Sequence, residues 1–147
     1  MAKAYWSTVV DAPVEGVWAA VRDFNGLGTW NAAMVPSCEI EDGRAGDQVG
    51  AVRNFTLANG AHLREKLLAH SDRDRSYSYD FQKHPFEGVE NYVATIHVLP
   101  VTETNQSFVE WWTTFDCPPD KIGYWEDFYA TQVFKGALEA LKAYLPT

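Results

Sequence analysis

The chain has 147 residues, a formal net charge of −8 and 21 aromatic side chains, namely six Trp, seven Tyr and eight Phe. This length suits one domain with a substantial core, so we expect a single domain over residues 1–147. The acidic balance argues against a nucleic-acid partner or an anionic membrane. No apolar run reaches membrane-spanning length and no apolar signal region opens the chain, so we expect a cytoplasmic protein without a membrane span.

The first part of the chain predicts one strand followed by two short helices. Residues 4–10 are rich in β-branched and aromatic side chains, which is typical of a strand. Asp11 is a candidate N-cap for the next helix, with Pro13 in its first turn. A break at residues 25–28 separates that helix from a short turn around Trp30 and Asn31.

From Met34 onward the apolar period changes to two, and turn residues follow at short intervals. Asp42-Gly43 and Asn59-Gly60 are typical of tight turns between strands. Such short connections join antiparallel neighbours. We predict strands at residues 34–41, 48–57, 61–70, 75–82, 89–99 and 107–115.

The last quarter of the chain, from Asp120 to Tyr144, predicts one long helix. It follows Pro118 and Pro119, which end the preceding strand, and Asp120 is its candidate N-cap. Its apolar residues recur at spacings of three and four, which gives a wide apolar face. The small residues Gly136 and Ala137 thin the middle of that face. These recurring apolar residues are Tyr129, Val133, Ala137, Leu141 and Tyr144.

These elements predict an α+β protein in which a curved, seven-stranded antiparallel sheet wraps around a long C-terminal helix, with two short helices after strand 1. A single sheet must bury one face, and only the long helix is available to cover it. A helix laid across a concave sheet fills the concavity incompletely. We therefore expect a ligand cavity between the helix and the sheet.

Strand alternation predicts which side chains face this cavity. Tyr77, Tyr79 and Phe81 share one face of their strand. Glu65 lies between Leu63 and Leu67 on an apolar face, which places a carboxylate inside. The preceding strand turns Arg53, Phe55 and Leu57 to one side, and Tyr92 lies on the apolar face of strand 89–99. In strand 107–115 both faces are apolar, so the sequence does not decide between the face of Glu110 and Trp112 and the opposite one.

The charged residues of the inner faces allow two interpretations. Isolated buried charges are costly, so Arg53, Glu65 and Glu110 must pair, titrate or meet a polar ligand. In one interpretation Arg53 and Glu65 form a structural pair that holds strand register in a filled core. In the other they are polar anchors in an otherwise apolar pocket.

Seven segments in this order, spread over nearly the whole chain, carry a resemblance to a known family. They are Asp11-Ala-Pro13, Val49-Gly-Ala-Val-Arg53, Arg64-Glu65-Lys-Leu-Leu68, Tyr77-Ser-Tyr79, Asn91-Tyr92-Val-Ala-Thr95, Trp112-Thr-Thr-Phe115 and Gly136-Ala-Leu-Glu-Ala-Leu-Lys142. With them the chain resembles the START-like, Bet v 1-like helix-grip superfamily (SRPBCC), in its bacterial polyketide cyclase/dehydrase and lipid-transport branch. It is also similar to the plant abscisic acid receptors.

The resemblance to those receptors implies roles for particular residues. Glu65, Tyr92 and Glu110 fall at polar pocket positions. Wall positions fall on Phe55, Leu57, Tyr79 and Phe81, and the lining helix supplies Tyr129, Val133 and Ala137. Pro36 stands where the receptors carry a pocket lysine, which argues against a ligand held by its carboxylate. The segment His84-Pro-Phe86 lies where such proteins carry a loop over the pocket mouth.

We therefore expect a metal-free protein that encloses a small hydrophobic, aromatic or polyketide-like molecule. His62 and Glu65 lie on opposite faces of one strand, so we expect no metal site, and no cofactor is implied. Acid/base catalysis of a cyclisation, dehydration or lyase step would use Glu65, Glu110, Arg53 and Tyr92. The alternative is a non-catalytic carrier or sensor. We expect a monomer or a homodimer. The ligand contacts in either case are Phe55, Leu57, Tyr77, Tyr79, Phe81, His84, Phe86, Trp112, Tyr129, Val133 and Ala137.

Overall fold

A seven-stranded antiparallel sheet frames the protein in the computed structural model, which describes residues 1–146. The strands follow the spatial order β1-β7-β6-β5-β4-β3-β2. From β2 to β7, strands that are consecutive in the chain therefore lie next to each other in the sheet. The exception is β1, which pairs with β7 at the far side. The strands are β1 Ala2–Val10, β2 Ser37–Ile40, β3 Val52–Thr56, β4 His62–Ser71, β5 Ser76–Lys83, β6 Glu90–Val101 and β7 Gln106–Asp116.

Helices fill the two long connections of this sheet. Between β1 and β2 lie α1 (Val14–Val21), a 3-10 turn (Phe24–Gly26) and α2 (Leu27–Trp30). After β7 a 3-10 turn (Pro119–Lys121) leads into what we call the C-terminal helix. It consists of α3 (Ile122–Asp127), a π-helical segment (Phe128–Lys135) and α4 (Gly136–Tyr144). This is the predicted helix-grip architecture, which is confirmed. No helix in residues 1–146 has the length and apolar character needed to cross a membrane.

The two predicted N-caps are wrong. Pro13 occupies the N-cap position of α1 in extended conformation, and no side chain caps the helix. Asp11 instead lies in a tight turn, in which the Ala12 N–H donates to the Val10 carbonyl. At the other helix, Pro118 precedes the 3-10 turn and Asp120 falls inside that turn. In both places a proline fixes the entry of the chain, so the aspartate is not needed as a cap.

The strand β2 is shorter than the predicted 34–41. The N–H groups of Met34 and Val35 donate to the Asn31 carbonyl, 3.2 and 2.9 Å away, so these residues finish the turn after α2. The predicted strand 48–57 likewise begins only at Val52. Its first residues form a loop that still bonds to β4, since the Gly50 N–H donates to the Leu67 carbonyl over 2.8 Å.

A bulge in β4 explains a second difference. The register against β5 shifts between Leu67 and Ala69, so Leu68 is the additional residue. A bulge exchanges the two faces for the residues that follow it. Strict alternation would place His70 on the outer face with Arg64 and Lys66, but its side chain is only 7% exposed. Its ring lies 5.5 Å from that of Trp18 on α1.

One exposed carboxylate fastens α1 to the β4–β5 turn. Asp72 accepts hydrogen bonds from Trp18 Nε1 at 2.9 Å and from Arg22 Nε at 2.9 Å. His70 Nε2 lies 3.1 Å from the same carboxylate. The Arg22 guanidinium, through its hydrogen bonds, holds the pKa of Asp72 well below its usual range. The contact fixes the helix that closes one end of the concave sheet.

The C-terminal helix covers the concave face through aromatic contacts. Phe134 stacks on Trp111 of β7 with ring centroids 5.0 Å apart. Tyr129 meets Phe115 edge to face at 5.2 Å. Both helix side chains are fully buried, so the helix forms the second layer of the core.

The two neighbouring leucines of β4 provide a matched test of this arrangement. Leu67 is fully buried, whereas Leu68 in the bulge is 37% exposed. We predict that Leu67→Ala lowers the free energy of unfolding by about 2–5 kcal/mol, because it leaves a cavity in the core. Leu68→Ala should change it by less than about 0.5 kcal/mol. Urea denaturation followed by tryptophan fluorescence measures both, and equal losses would contradict the inward assignment.

Candidate ligand-binding cavity

A cavity of about 300 Å³ lies between the concave face of the sheet and the C-terminal helix. Strands β3 to β7 supply its floor and back wall, α2 closes one side, and the C-terminal helix forms the front. Eleven of the residues singled out from the sequence lie in its wall. They are Arg53, Phe55, Leu57, Glu65, Tyr79, Phe81, Phe86, Tyr92, Tyr129, Val133 and Ala137.

A buried ion pair forms the floor. Arg53 and Glu65 face each other directly across β3 and β4, and Arg53 Nε donates to Glu65 Oε1 over 2.7 Å. Arg53 Nη1 lies 3.3 Å from both the Phe24 carbonyl and the Tyr77 hydroxyl. The guanidinium carbon is 4.0 Å from the centre of the Phe24 ring. The cation is thus held by one charge, by two neutral acceptors and by aromatic rings, of which Phe24 is the nearest.

Burial and charge act in opposite directions on this pair. Burial raises the pKa of the Glu65 carboxyl, and the neighbouring guanidinium offsets part of the shift. Burial alone would lower the pKa of Arg53, but the charge of Glu65 reverses that shift. The guanidinium therefore stays protonated. The Glu65 carboxyl has a higher affinity for protons than that of an exposed glutamate.

Tyrosine hydroxyls and aromatic rings form the back wall. The Tyr79 hydroxyl accepts a hydrogen bond from Trp111 Nε1 at 3.2 Å and retains its own proton to donate. Phe81 and Tyr92 stack with ring centroids 3.8 Å apart. Burial raises the pKa of Tyr79 and of Tyr92 well above the usual value, so both stay neutral. The wall combines flat apolar surfaces with uncharged hydrogen-bonding groups.

The mouth of the cavity lies between the β3–β4 turn and the C-terminal helix. Ala58 and Asn59 of that turn are exposed, as is Gln132 on the helix, and all three line the cavity. Phe86, from the β5–β6 connection, packs beside the mouth at 5.5 Å from both Phe128 and Tyr129. Two short connections and one helix turn thus border the entrance.

The expected places of Glu110 and Trp112 are wrong. In β7 the buried face carries Val109, Trp111 and Phe115, so Glu110 and Trp112 lie on the outer face. There Glu110 accepts a hydrogen bond from the Tyr5 hydroxyl at 2.8 Å and lies 3.2 Å from His97 Nδ1. Both faces of β7 carry large apolar side chains, which is why alternation could not decide between them.

Two other expected contacts also lie outside the cavity wall. Tyr77 shares the inner face with Tyr79, but it is covered by Arg53 and Phe24 and lies beneath the floor. His84 packs its ring 4.7 Å from Phe81, behind the ring that lines the cavity. Alternation gives the face of a strand residue but not its depth along the strand.

Several lining residues were not anticipated. Trp111 belongs to the face of β7 that the pattern left undecided, and Leu63 was seen only as a neighbour of Glu65. Phe128 and Gln132 lie one position before Tyr129 and Val133, and the helical period would have placed them at the edge of the same face. The others come from the irregular segment around α2 and the β3–β4 turn: Leu27, Asn31, Met34, Val35, Ala58 and Asn59.

The ion pair gives a stability prediction. Arg53→Met should lower the free energy of unfolding by about 3–5 kcal/mol, because Glu65 would remain buried without its partner. The double variant Arg53→Met/Glu65→Met should recover most of this loss, since no charge is left on the floor. Guanidinium denaturation measures the whole set.

Arg64→Met serves as the control, because Arg64 pairs with Glu41 on the outer face of the same hairpin. It should have a much smaller effect than Arg53→Met. A double variant as unstable as the single one would contradict the assignment of the pair as a unit.

Comparison with known proteins gives consistent matches over the length of the chain. The family model described as polyketide cyclase / dehydrase and lipid transport matches residues 1–146. A protein of Nitrosospira multiformis with a solved structure is 32% identical, with a TM-score of 0.84, and the match covers 99% of this chain and 97% of that one. The protein XoxI of Bacillus cereus is 30% identical, with a TM-score of 0.86 and coverage of 99% and 96%.

Plant proteins share the fold at lower identity. Norcoclaurine synthase of Thalictrum flavum, solved with dopamine and hydroxybenzaldehyde, is 17% identical, with a TM-score of 0.76 and coverage of 96% and 84%. The major latex-like protein 151 of Panax ginseng is 16% identical, with a TM-score of 0.79 and coverage of 99% and 97%. These likenesses are to the Bet v 1-like fold. The family match supports a role in binding a hydrophobic ligand, and the chain belongs to the polyketide cyclase/dehydrase and lipid transport family.

Proposed function

We propose that this protein binds a small aromatic or polyketide-like molecule in the cavity between the sheet and the C-terminal helix. The observation that carries the proposal is the cavity itself, about 300 Å³ in volume and walled by aromatic rings above a buried ion pair. That volume lies at the lower end of the range for small-molecule sites. Flat apolar walls with a few polar groups suit a ring system that bears one or two polar substituents.

The fold relatives support this choice of ligand class. Norcoclaurine synthase was solved with two aromatic molecules, dopamine and hydroxybenzaldehyde. At 17% identity this likeness concerns the fold, so the ligand class of this chain is inferred from the residues of its own cavity wall. Tyr79, Phe81, Tyr92 and Trp111 contribute rings to that wall.

Filling the cavity provides the test. Ala137 is buried mid-helix, and its side chain lines the cavity. We predict that Ala137→Phe abolishes binding of prodan, an uncharged naphthalene dye, measured by its blue-shifted emission on the native protein. The melting temperature should change by less than about 4 °C, because the added ring occupies empty space.

The control is Ala143→Phe, which adds the same ring at an exposed position of the last helical turn and should bind the dye normally. A large loss of melting temperature in Ala137→Phe would contradict the proposal. It would mean that the space beneath Ala137 is filled core.

A carrier or sensor needs only this binding, but one observation favours proton-transfer catalysis as a second candidate. The Glu65 carboxylate lines the cavity, and burial raises its pKa, which brings a carboxyl group closer to the range useful for acid/base work at neutral pH. Tyr79 and Tyr92 can donate hydrogen bonds to a carbonyl oxygen nearby. In this candidate Glu65 removes a proton from a carbon next to a carbonyl, and the tyrosines stabilise the resulting enolate.

Deuterium exchange measures this chemistry directly. We predict that the protein accelerates exchange at the α-carbons of 2-tetralone, a fused-ring ketone, in D₂O followed by NMR. The acceleration should disappear in Arg53→Met/Glu65→Met, which lacks the carboxylate, and in Ala137→Phe, which lacks the space. Exchange at the rate of buffer alone, with 2-tetralone bound, would leave the carrier or sensor as the function.

A further inference from the structure

The two charges on the cavity floor are not presented equally to the cavity. The side chain of Arg53 is 1% exposed, whereas that of Glu65 is 6% exposed. Among the side chains that line the cavity in the described part of the chain, these two are the charged ones. The remaining polar groups there are hydroxyls, amides and the indole N–H of Trp111. The charge that a bound molecule meets is therefore decided by which partner of the pair it can reach.

Neighbouring groups largely enclose the guanidinium. Its Nε donates to Glu65 and its Nη1 reaches the Phe24 carbonyl and the Tyr77 hydroxyl. Aromatic rings cover it at 4.0 Å, from Phe24, and at 4.6 Å, from Tyr79. An anion in the cavity would therefore gain little from Arg53, because the guanidinium is enclosed and already neutralised by Glu65.

The carboxylate is the more accessible partner. Arg53 Nε occupies one acceptor position of Glu65 Oε1, and a carboxylate has about four such positions on its two oxygens. The guanidinium at 2.7 Å favours the ionised form, which accepts hydrogen bonds and donates none. Glu65 can therefore accept a hydrogen bond from a donor in the cavity while it keeps its hydrogen bond from Arg53.

We propose that the cavity selects uncharged aromatic molecules that carry a hydrogen-bond donor, a phenol or an aryl N–H, with this donor directed at Glu65. The proposal rests on the proposed function and names its ligand class. A hydrogen bond to a charged acceptor is stronger than one between neutral groups, and burial strengthens it further. A carboxylate ligand would place a second negative charge beside Glu65 in a site of low dielectric, so aromatic acids are rejected.

Three probes of nearly equal shape separate these cases by calorimetric titration at pH 7. 2-Naphthol is a neutral donor, 2-methylnaphthalene has no hydrogen-bonding group, and 2-naphthoate is an anion. We expect 2-naphthol to bind the native protein at least about tenfold more tightly than 2-naphthoate. This comparison needs no variant. Tighter binding of 2-naphthoate would overturn the proposal, because it would show that Arg53 is the group presented.

The variant Arg53→Met/Glu65→Met removes the acceptor while keeping an uncharged floor. The ratio of the 2-naphthol affinity to the 2-methylnaphthalene affinity should fall at least about tenfold in this variant. Using the ratio cancels differences in how the two probes leave water. The matched control, Arg64→Met, alters an arginine on the outer face of the same hairpin and should leave the ratio unchanged.

The outcomes distinguish the two levels of inference. If 2-naphthol and 2-methylnaphthalene bind but their ratio is the same in the double variant, the donor selection is overturned and the binding function stands. If none of the three probes binds the native protein, or if they bind Ala137→Phe equally well, the proposed function fails and the donor selection fails with it.

Discussion

The buried ion pair between Arg53 and Glu65 is the interaction on which the rest of the structure depends. It joins β3 to β4 at the point where these residues face each other, so it fixes the register of the hairpin. Through Arg53 Nη1 it also reaches the 3-10 turn before α2 and the second row of the floor, at Tyr77. Two charges out of water are expensive, and this cost is offset only while the surrounding contacts hold both partners in place. The pair therefore affects three properties at once: the register of β3 and β4, the position of the 3-10 turn before α2, and the polarity of the cavity.

Much of this arrangement could be predicted from the sequence, because apolar residues recur with period two on the buried face of a strand and with a period of about 3.6 on that of a helix. Glu65 between Leu63 and Leu67, with Arg53 on the neighbouring strand, pointed correctly to an inward pair. The pair lines a cavity and not a filled core. Its role as an anchor for a ligand stays a prediction. The pattern did not decide between the two apolar faces of β7, and Glu110 and Trp112, which were expected in the pocket, lie on the outer face. It also could not reveal the bulge at Leu68, which exchanges the faces for His70, because a bulge is a property of the pairing between two strands. The lining residues around α2 lie in a segment without a period, so no pattern could assign them.

The family relationship and the cavity answer different questions. Proteins at 16–17% identity share this fold with the chain. The side chains that line a cavity differ from one protein of this fold to another, so the fold alone does not determine which ligand is bound. For this chain the wall is aromatic, its hydroxyls are neutral and its accessible charge is a carboxylate. The proposed ligand class rests on these three properties together and not on the fold.

The π-helical segment Phe128–Lys135 lies where the C-terminal helix borders the cavity. Deleting one residue from a strand turns each following side chain to the opposite face of the sheet, which would dismantle the wall. Each backbone hydrogen bond of a π-helix joins residues five positions apart, whereas in an α-helix they are four apart. Deleting one residue from the π-helical segment can therefore convert it to regular α-helix. The α-helical segments on either side then keep their orientation. The front of the cavity is thus a lining element whose length can change in evolution while the sheet stays intact, and such a change would alter the shape of the cavity without disturbing the rest of the fold.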